Sequence, residues 1–527
     1  MSIRIISETD VEVQGLPGGN VRSGQTVIVR EQVIVTGAVE GAGLFAGNGS
    51  GVSLGRLVLE GLLRSETNGI DFFLQAAPDG SNFIRIAESG LVTAKIRGVI
   101  LGGTAGAIVN AGHIEAPFAI TDRGTANRIE NIGRIEGFTI GSGQSIAVAL
   151  GTESTLFNSG VILARDIALQ IGKTSSDSST FDTSAARDAI IDNSGKIAAE
   201  TAVRIAAGSG HRLANSGSIE GRETGIAVAA TGNRIENTGE IFGGDTGIAV
   251  AIKGGGTVIF RNLGTISGGD AAYADSGTAT DRMFNSGTIF GDVETGGGSD
   301  TLRNLGTVDG FVRLGEGSDG YRGTGEGYVT GIVFGEAGVD QLFGGLLDDR
   351  LDGGAGNDIL AGFAGEDALT GGEGDDLLAG GSGDDLLQAD AGNDRLASGD
   401  GDDSAFGGAG ADSLLGGRGD DDLSGGAGDD DLTGGAGDDD LTGGKGFDIF
   451  IFTRTNGNDS VTDFTFNIDL LDLRAFGLAG LDDLTAAGAL RQTAAGALID
   501  LSRIGGEGSV LVERVQADDM IAGDFLF

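Results

Sequence analysis

The chain of 527 residues holds 102 Gly, 3 Pro, no Cys and no Trp, and its 77 acidic against 34 basic residues set a formal net charge of −43. Such a polyanion is repelled by nucleic acid and anionic lipid, and without Cys it forms no disulfides or thiolate metal sites. With two His in the whole chain an imidazole-rich transition-metal site is excluded as well, which leaves multivalent cations as the natural partners. Gly-rich as it is, the sequence has neither the Pro content nor the G-X-Y period of collagen, and its 39% hydrophobic residues recur too regularly for disorder. No apolar run approaches the 18 residues of a membrane-spanning helix. The opening MSIRIISETDVEVQG lacks the basic and then apolar pattern of a signal peptide.

Residues 1–85 alternate apolar and polar side chains, as in QTVIVREQVIV (25–35), and read as a β-rich N-terminal cap running into the first coils. From 86 to 334 an Asn-x-Gly-x-Ile/Val signature recurs, including NAGHI (110–114), NIGRI (131–135), NSGSI (215–219) and NSGTI (285–289), with Asn 19 to 35 residues apart. Between these stand second apolar runs such as GIAVA (225–229 and 247–251). A unit of this size cannot bury its own apolar face and must stack on its neighbours, which predicts a parallel β-helix solenoid. Asn at a fixed slot suits a turn, and stacked Asn side chains are expected to bond along the axis. The polar stretch KTSSDSSTFDTS (173–184) reads as a loop leaving the solenoid, and His113 and His211 as exposed turn residues. GGGSDTL (296–302) and GEGSDGY (315–321) look like turns of the next repeat embedded early among these coils.

From 335 to 451 run thirteen consecutive nonapeptides of the form GGxGxDxUx, where U is apolar. Position six is always Asp: Asp340, Asp349, Asp358, Asp367, Asp376, Asp385, Asp394, Asp403, Asp412, Asp421, Asp430, Asp439 and Asp448. Position eight is Leu in eleven units, Ala405 in one and Phe450 in the last, and position four is Gly except at Leu347. The glycines allow tight turns, the x-U-x segment a short strand with U inward, and the Asp supplies carboxylate oxygen. Two units make a coil of 18 residues, so alternate Asp fall on opposite edges, stacked at about 4.8 Å. Unit charges at that range repel by about 1 kcal/mol even in water, so cations between the turns are expected. Oxygen-only ligands on flexible turns favour Ca²⁺, several ions in all, and the thirteen Asp are its candidate ligands. The segment carries 29 acidic and four basic residues, more than half of the net charge of the whole chain. Asp349, beside Leu347, is the weakest of these sites.

The repeats resemble the RTX (haemolysin-type) calcium-binding array, and FDIFIF (447–452), NDSVTDF (458–464), IDLLDL (468–473) and the ending DDMIAGDFLF resemble the serralysin-like C-terminal module of type I-secreted proteins. The resemblance implies a calcium-bound parallel β-roll at 335–451 and a small β-rich C-terminal capping and secretion-signal module at 452–527. It further implies export through a type I secretion apparatus without an N-terminal signal peptide, and folding in extracellular Ca²⁺. A short helix is expected within LDDLTAAGAL (481–490). The whole is therefore expected to be all-β, a parallel β-helix solenoid at 86–334 followed by the β-roll and its cap.

No HExxH occurs, IGKTS (171–175) lacks the first Gly of a P-loop, and no Ser/His/Asp set is apparent. Proton abstraction from uronates needs a base such as His, Tyr, Lys or Arg, and the Asn-x-Gly-x-Ile coils offer few besides their arginines: His113, His211, Tyr273 and the four lysines Lys95, Lys173, Lys196 and Lys253. The expected function is that of a secreted, non-enzymatic structural or adhesive protein whose partners are calcium and a cell-surface or matrix polysaccharide or protein. A polysaccharide lyase or epimerase carrying RTX modules is the alternative.

Overall fold

The computed structural model describes residues 83–527 except 89–90, 95–96, 102–104, 123–124, 140–143, 173–186 and 252–255, together with the strands Arg4–Ile6, Thr26–Val29, Arg56–Leu59, Leu62–Ser65 and Ile70–Phe72. The expected loop at 173–184 and most of the expected cap at 1–85 lie outside the described residues, as do Lys95, Lys173 and Lys253. The chain forms two compact units, Met1–Gly296 and Gly297–Phe527.

In the first unit a coil consists of three strand segments, each paired in parallel with its counterpart one coil on. Arg212–Asn215 pairs with Asn233–Asn237, and Ser218–Val228 pairs with both Glu240–Gly243 and Thr246–Val250. The early strands follow the same rule, with Arg4–Ile6, Thr26–Val29, Arg56–Leu59 and Phe83–Ile86 paired in parallel in succession. The apolar residue closing each signature explains the stacking. Ile114, Ile135, Ile162, Ile197, Ile219, Ile241, Ile266 and Ile289 form one inward file, each at most 1% exposed. Every such side chain contributes roughly 1.5–3 kcal/mol by leaving water.

The signature Asn is also buried, and it answers the polar demand of the turn. Asn193, Asn215, Asn237 and Asn262 each pass one hydrogen bond to the next coil, Nδ2 to Oδ1, at 2.7, 2.8, 2.9 and 2.8 Å, and the chain of bonds runs from Asn110 to Asn285. The backbone carbonyl of each Asn accepts from the turn above, as Asn193 O does from Ser216 and Gly217 N–H. Gly is needed after it because a Cβ at Gly217 would lie 2.1 Å from the carbonyl oxygen of Gly195. The expectation for the histidines is corrected. His113 opens the strand His113–Glu115, and His211 is 1% exposed. Its ring Nδ1 accepts from Ala189 N–H and its backbone N–H donates to Asn233 Oδ1, and burial lowers its ring pKa, so it serves as a neutral polar bridge between coils.

In the second unit the coil shortens to two strands once the nonapeptide array begins. Ile359–Ala364, Leu377–Ser382, Arg395–Asp400, Ser413–Arg418 and Asp431–Ala436 form one sheet. Arg350–Ala355, Ala368–Glu373, Leu386–Ala391, Ser404–Ala409, Asp422–Ala427 and Asp440–Lys445 form the other, with every pairing parallel and offset by one 18-residue coil. The thirteen position-eight side chains face inward at 0–2% exposure, Ala405 and Phe450 included. After Ile449–Ile451 the period ends. An antiparallel meander, Leu490–Gln492, Gly496–Asp500 and Ser509–Glu513, docks through Asn458–Val461, and Phe525–Leu526 pairs with Leu471–Asp472. The expected helix is confined to Leu481–Ala486, because Gly488 (φ 65) turns the chain out of it.

Candidate metal centre

The unit 371–379 shows how one turn is built. A Cβ at Gly371 would stand 2.5 Å from Asp376 Oδ2, so Gly at position one makes room for the carboxylate of its own repeat. Gly372 (φ 112) and Gly374 (φ 120) hold backbone conformations that side chains resist, and a Cβ at Gly374 would lie 2.0 Å from the carbonyl oxygen of the preceding coil's Gly356. The glycines of this turn therefore serve two needs, room for the carboxylate at position one and a left-handed backbone close under the neighbouring coil at positions two and four.

This stacking sets the Asp residues in two files, each 0–3% exposed. Asp340, Asp358, Asp376, Asp394, Asp412, Asp430 and Asp448 follow one another on one edge, and Asp349, Asp367, Asp385, Asp403, Asp421 and Asp439 on the other. Within both files the N–H of each Asp donates to Oδ1 of the Asp one coil later, at 2.7–3.1 Å. One carboxylate oxygen is thereby committed to the fold. The second, Oδ2, is buried without a hydrogen-bond partner in twelve of the thirteen. The exception is Asp349, whose Oδ2 accepts from Gly345 N–H at 2.6 Å, in the unit where Leu347 replaces the turn glycine.

Burial first, and along most of each file the neighbouring carboxylates second, push these groups upward. Asp340, Asp376, Asp385, Asp421 and Asp430 rise to about 7, and Asp349, Asp394, Asp439 and Asp448 to about 6. Asp358, Asp367, Asp403 and Asp412 shift the same way through burial. Buried, unpaired oxygens in files are what a bound cation satisfies. Among the described residues no three His, Cys, Asp or Glu side chains converge on one point. An ion on either edge would therefore meet few carboxylates and would need backbone carbonyl oxygens and water as its other ligands. All-oxygen donors of high number suit Ca²⁺.

Two features lay beyond the sequence reading. Position five forms a second, exposed ladder of opposite polarity, in which the later coil donates. Asp402 N–H binds Asp384 Oδ1, Asp420 binds Asp402 and Asp438 binds Asp420, at 2.8–3.0 Å. The recurrence of GDD and GND was its signal. The files are also closed by Asp residues of the tail. Asp439 N–H donates to Asp459 Oδ1 and Asp448 N–H to Asp469 Oδ1. Their remaining oxygens are taken by Asn456 Nδ2 and Thr465 N–H, both at 2.6 Å. NDSVTDF and IDLLDL contain both residues, but only their stacking reveals the role.

The RTX calcium-binding nonapeptide repeat matches the chain in four copies, at 332–351, 343–378, 379–414 and 415–450. No curated protein matches the chain. Phased turns, two files of buried carboxylates and this match agree, and the segment 332–450 is an array of RTX calcium-binding repeats within an all-β parallel solenoid.

Proposed function

We propose that this is a secreted structural or adhesive protein of a cell surface or matrix, exported by a type I apparatus and completing its β-roll only in external Ca²⁺. The observation that carries the calcium-coupled folding is the set of twelve buried, unpartnered Oδ2 atoms. Without cations these files hold stacked negative charge out of water, and binding that exists only in the folded state adds to folding stability. RTX repeats are typical of proteins exported in this way, which supports export by this route and the reading of 452–527 as a secretion module.

The non-enzymatic reading is supported by the chemistry of the first unit. Its groove of about 560 Å³ presents Glu136, Phe138, Arg165, Glu220, Arg222 and Phe242; among the described residues no His, Tyr or Lys lines it, and its two arginines stand beside two glutamates. Tyr273 is buried, its hydroxyl donating to Asp281 Oδ2 at 2.6 Å. Mixed charge beside two phenyl rings suits adhesion to a polysaccharide or protein better than proton abstraction from one.

Circular dichroism and size-exclusion chromatography of the full chain, metal-free and in millimolar Ca²⁺, test the folding claim. A gain of β signal and compaction on adding Ca²⁺ is expected, and identical spectra and elution volumes refute it. Release of unsaturated products from acidic polysaccharides would overturn the non-enzymatic reading in favour of a lyase.

A further inference from the structure

The structure assigns a further divalent-cation site to Asp319, one coil upstream of the repeat array; the inference rests on the reading of the Asp files as calcium sites. The turn 315–319 lies outside the matched residues, and it is followed by a coil of 21 residues, from Asp319 to Asp340, instead of 18. Nevertheless it stacks on the first array turn in the array's own register. Gly315 pairs with Glu336 and Gly317 with Gly338, just as Glu336 pairs with Gly354 in the next step. The surplus residues of the long coil fall in 324–332, away from this edge.

The backbone repeats the array's geometry too. Gly315 (φ 102) and Gly317 (φ 151) occupy positions two and four, and the Gly317 carbonyl oxygen lies under Gly338 as that of Gly338 lies under Gly356. Tyr321 fills the position-eight slot at 1% exposure. Asp319 continues the file, its N–H donating to Asp340 Oδ1 at 2.8 Å and its Oδ1 accepting from Asp300 N–H at 2.6 Å. Its Oδ2 is buried without a partner in a side chain only 4% exposed, the same signature as the array's Asp residues. Leu314 stands where most repeats have their first Gly. Ala389 and Ser398 also carry a Cβ there, and Asp394 and Asp403 keep their buried, unpartnered Oδ2. The two members of this file that flank the array thus differ, because Asp469 has both oxygens occupied while Asp319 has one open.

The test counts Ca²⁺ bound to the full chain by equilibrium dialysis and metal analysis, for the native protein, Asp319→Asn and the array control Asp358→Asn. Asparagine preserves the Oδ1 acceptor and replaces Oδ2. Loss of at least one ion per chain from each variant is expected. If Asp358→Asn loses ions and Asp319→Asn binds the native number, the site at Asp319 is refuted and the array reading stands. If neither loses an ion, the array reading fails and takes this inference with it. Hydrogen exchange of the native chain needs no variant. Amides 315–320 are expected to gain protection on adding Ca²⁺ together with the array turns, and protection that begins only at 336 overturns the proposal.

Discussion

Replacing Asp376 by Asn separates the two duties of a file carboxylate. Asp376 Oδ1 accepts from Asp358 N–H at 2.7 Å, while Oδ2 is buried and unpaired, and the group is pushed up to about 7 from 3.8. Because the folded pKa is raised, the metal-free folded state binds more protons than the unfolded chain between these values. Stability from this group is fully present below pH 3.8 and is lost as pH rises through about 7. A shift of some three pH units at about 1.4 kcal/mol each, reduced by coupling to neighbouring sites, leaves a burden of about 2–4 kcal/mol at pH 7.5. Asn keeps the acceptor and removes the charge. Metal-free Asp376→Asn is therefore expected to be more stable than native by that amount at pH 7.5 and equal to it at pH 3.5, while its stabilisation by Ca²⁺ is smaller. The assay is thermal or urea unfolding of the dialysed, metal-free full chain followed by circular dichroism, with the exposed Asp518→Asn as a control for general charge. Metal-free Asp376→Asn less stable than native at pH 7.5, or no more stabilised than the control, would refute the reasoning. For the native metal-free protein, the same logic requires stability of the roll to fall from pH 5 to pH 8 and the Ca²⁺-loaded and metal-free curves to converge in acid.

Asn215→Ala removes the acceptor of Asn193 Nδ2 and the donor to Asn237 Oδ1, so a loss of about 2–4 kcal/mol is expected in urea unfolding; a change under 0.5 kcal/mol would remove the ladder from the account of stability. Gly374→Ala places a Cβ 2.0 Å from the Gly356 carbonyl oxygen at φ 120, and a cost of at least about 3 kcal/mol in the Ca²⁺-loaded state is expected, read as a lowered unfolding midpoint. The reverse change, Asp390→Gly, relieves a left-handed residue (φ 70) at position two and is expected to stabilise the loaded roll by about 1 kcal/mol; destabilisation would show that its exposed contact with Gln388 matters more.

The parts of the fold that a sequence shows are those written in period. Leu at position eight and Asp at position six recur in phase, so the inward file and the alternation of Asp between two edges were legible. The signature Asn and Ile were legible as a stacked turn and a core file for the same reason. His211 was misread because its burial depends on Ala189 and Asn233, residues of the coils on either side of it. The short helix was legible within 481–490, but not its end, because propensity cannot tell that Gly488 adopts φ 65.

Periodic chemistry alone therefore determined the all-β solenoid, the two files and the choice of a hard, oxygen-seeking cation. The tertiary structure decided which oxygen of each carboxylate remains open, since that depends on the polarity of bonds between coils 18 residues apart. It also decided how the files continue beyond the array, closed at Asp459 and Asp469 and with an open oxygen at Asp319, because these residues enter register by stacking rather than by spacing. Charge and glycine content are properties of the chain. The direction of a hydrogen bond between coils exists only once they are stacked.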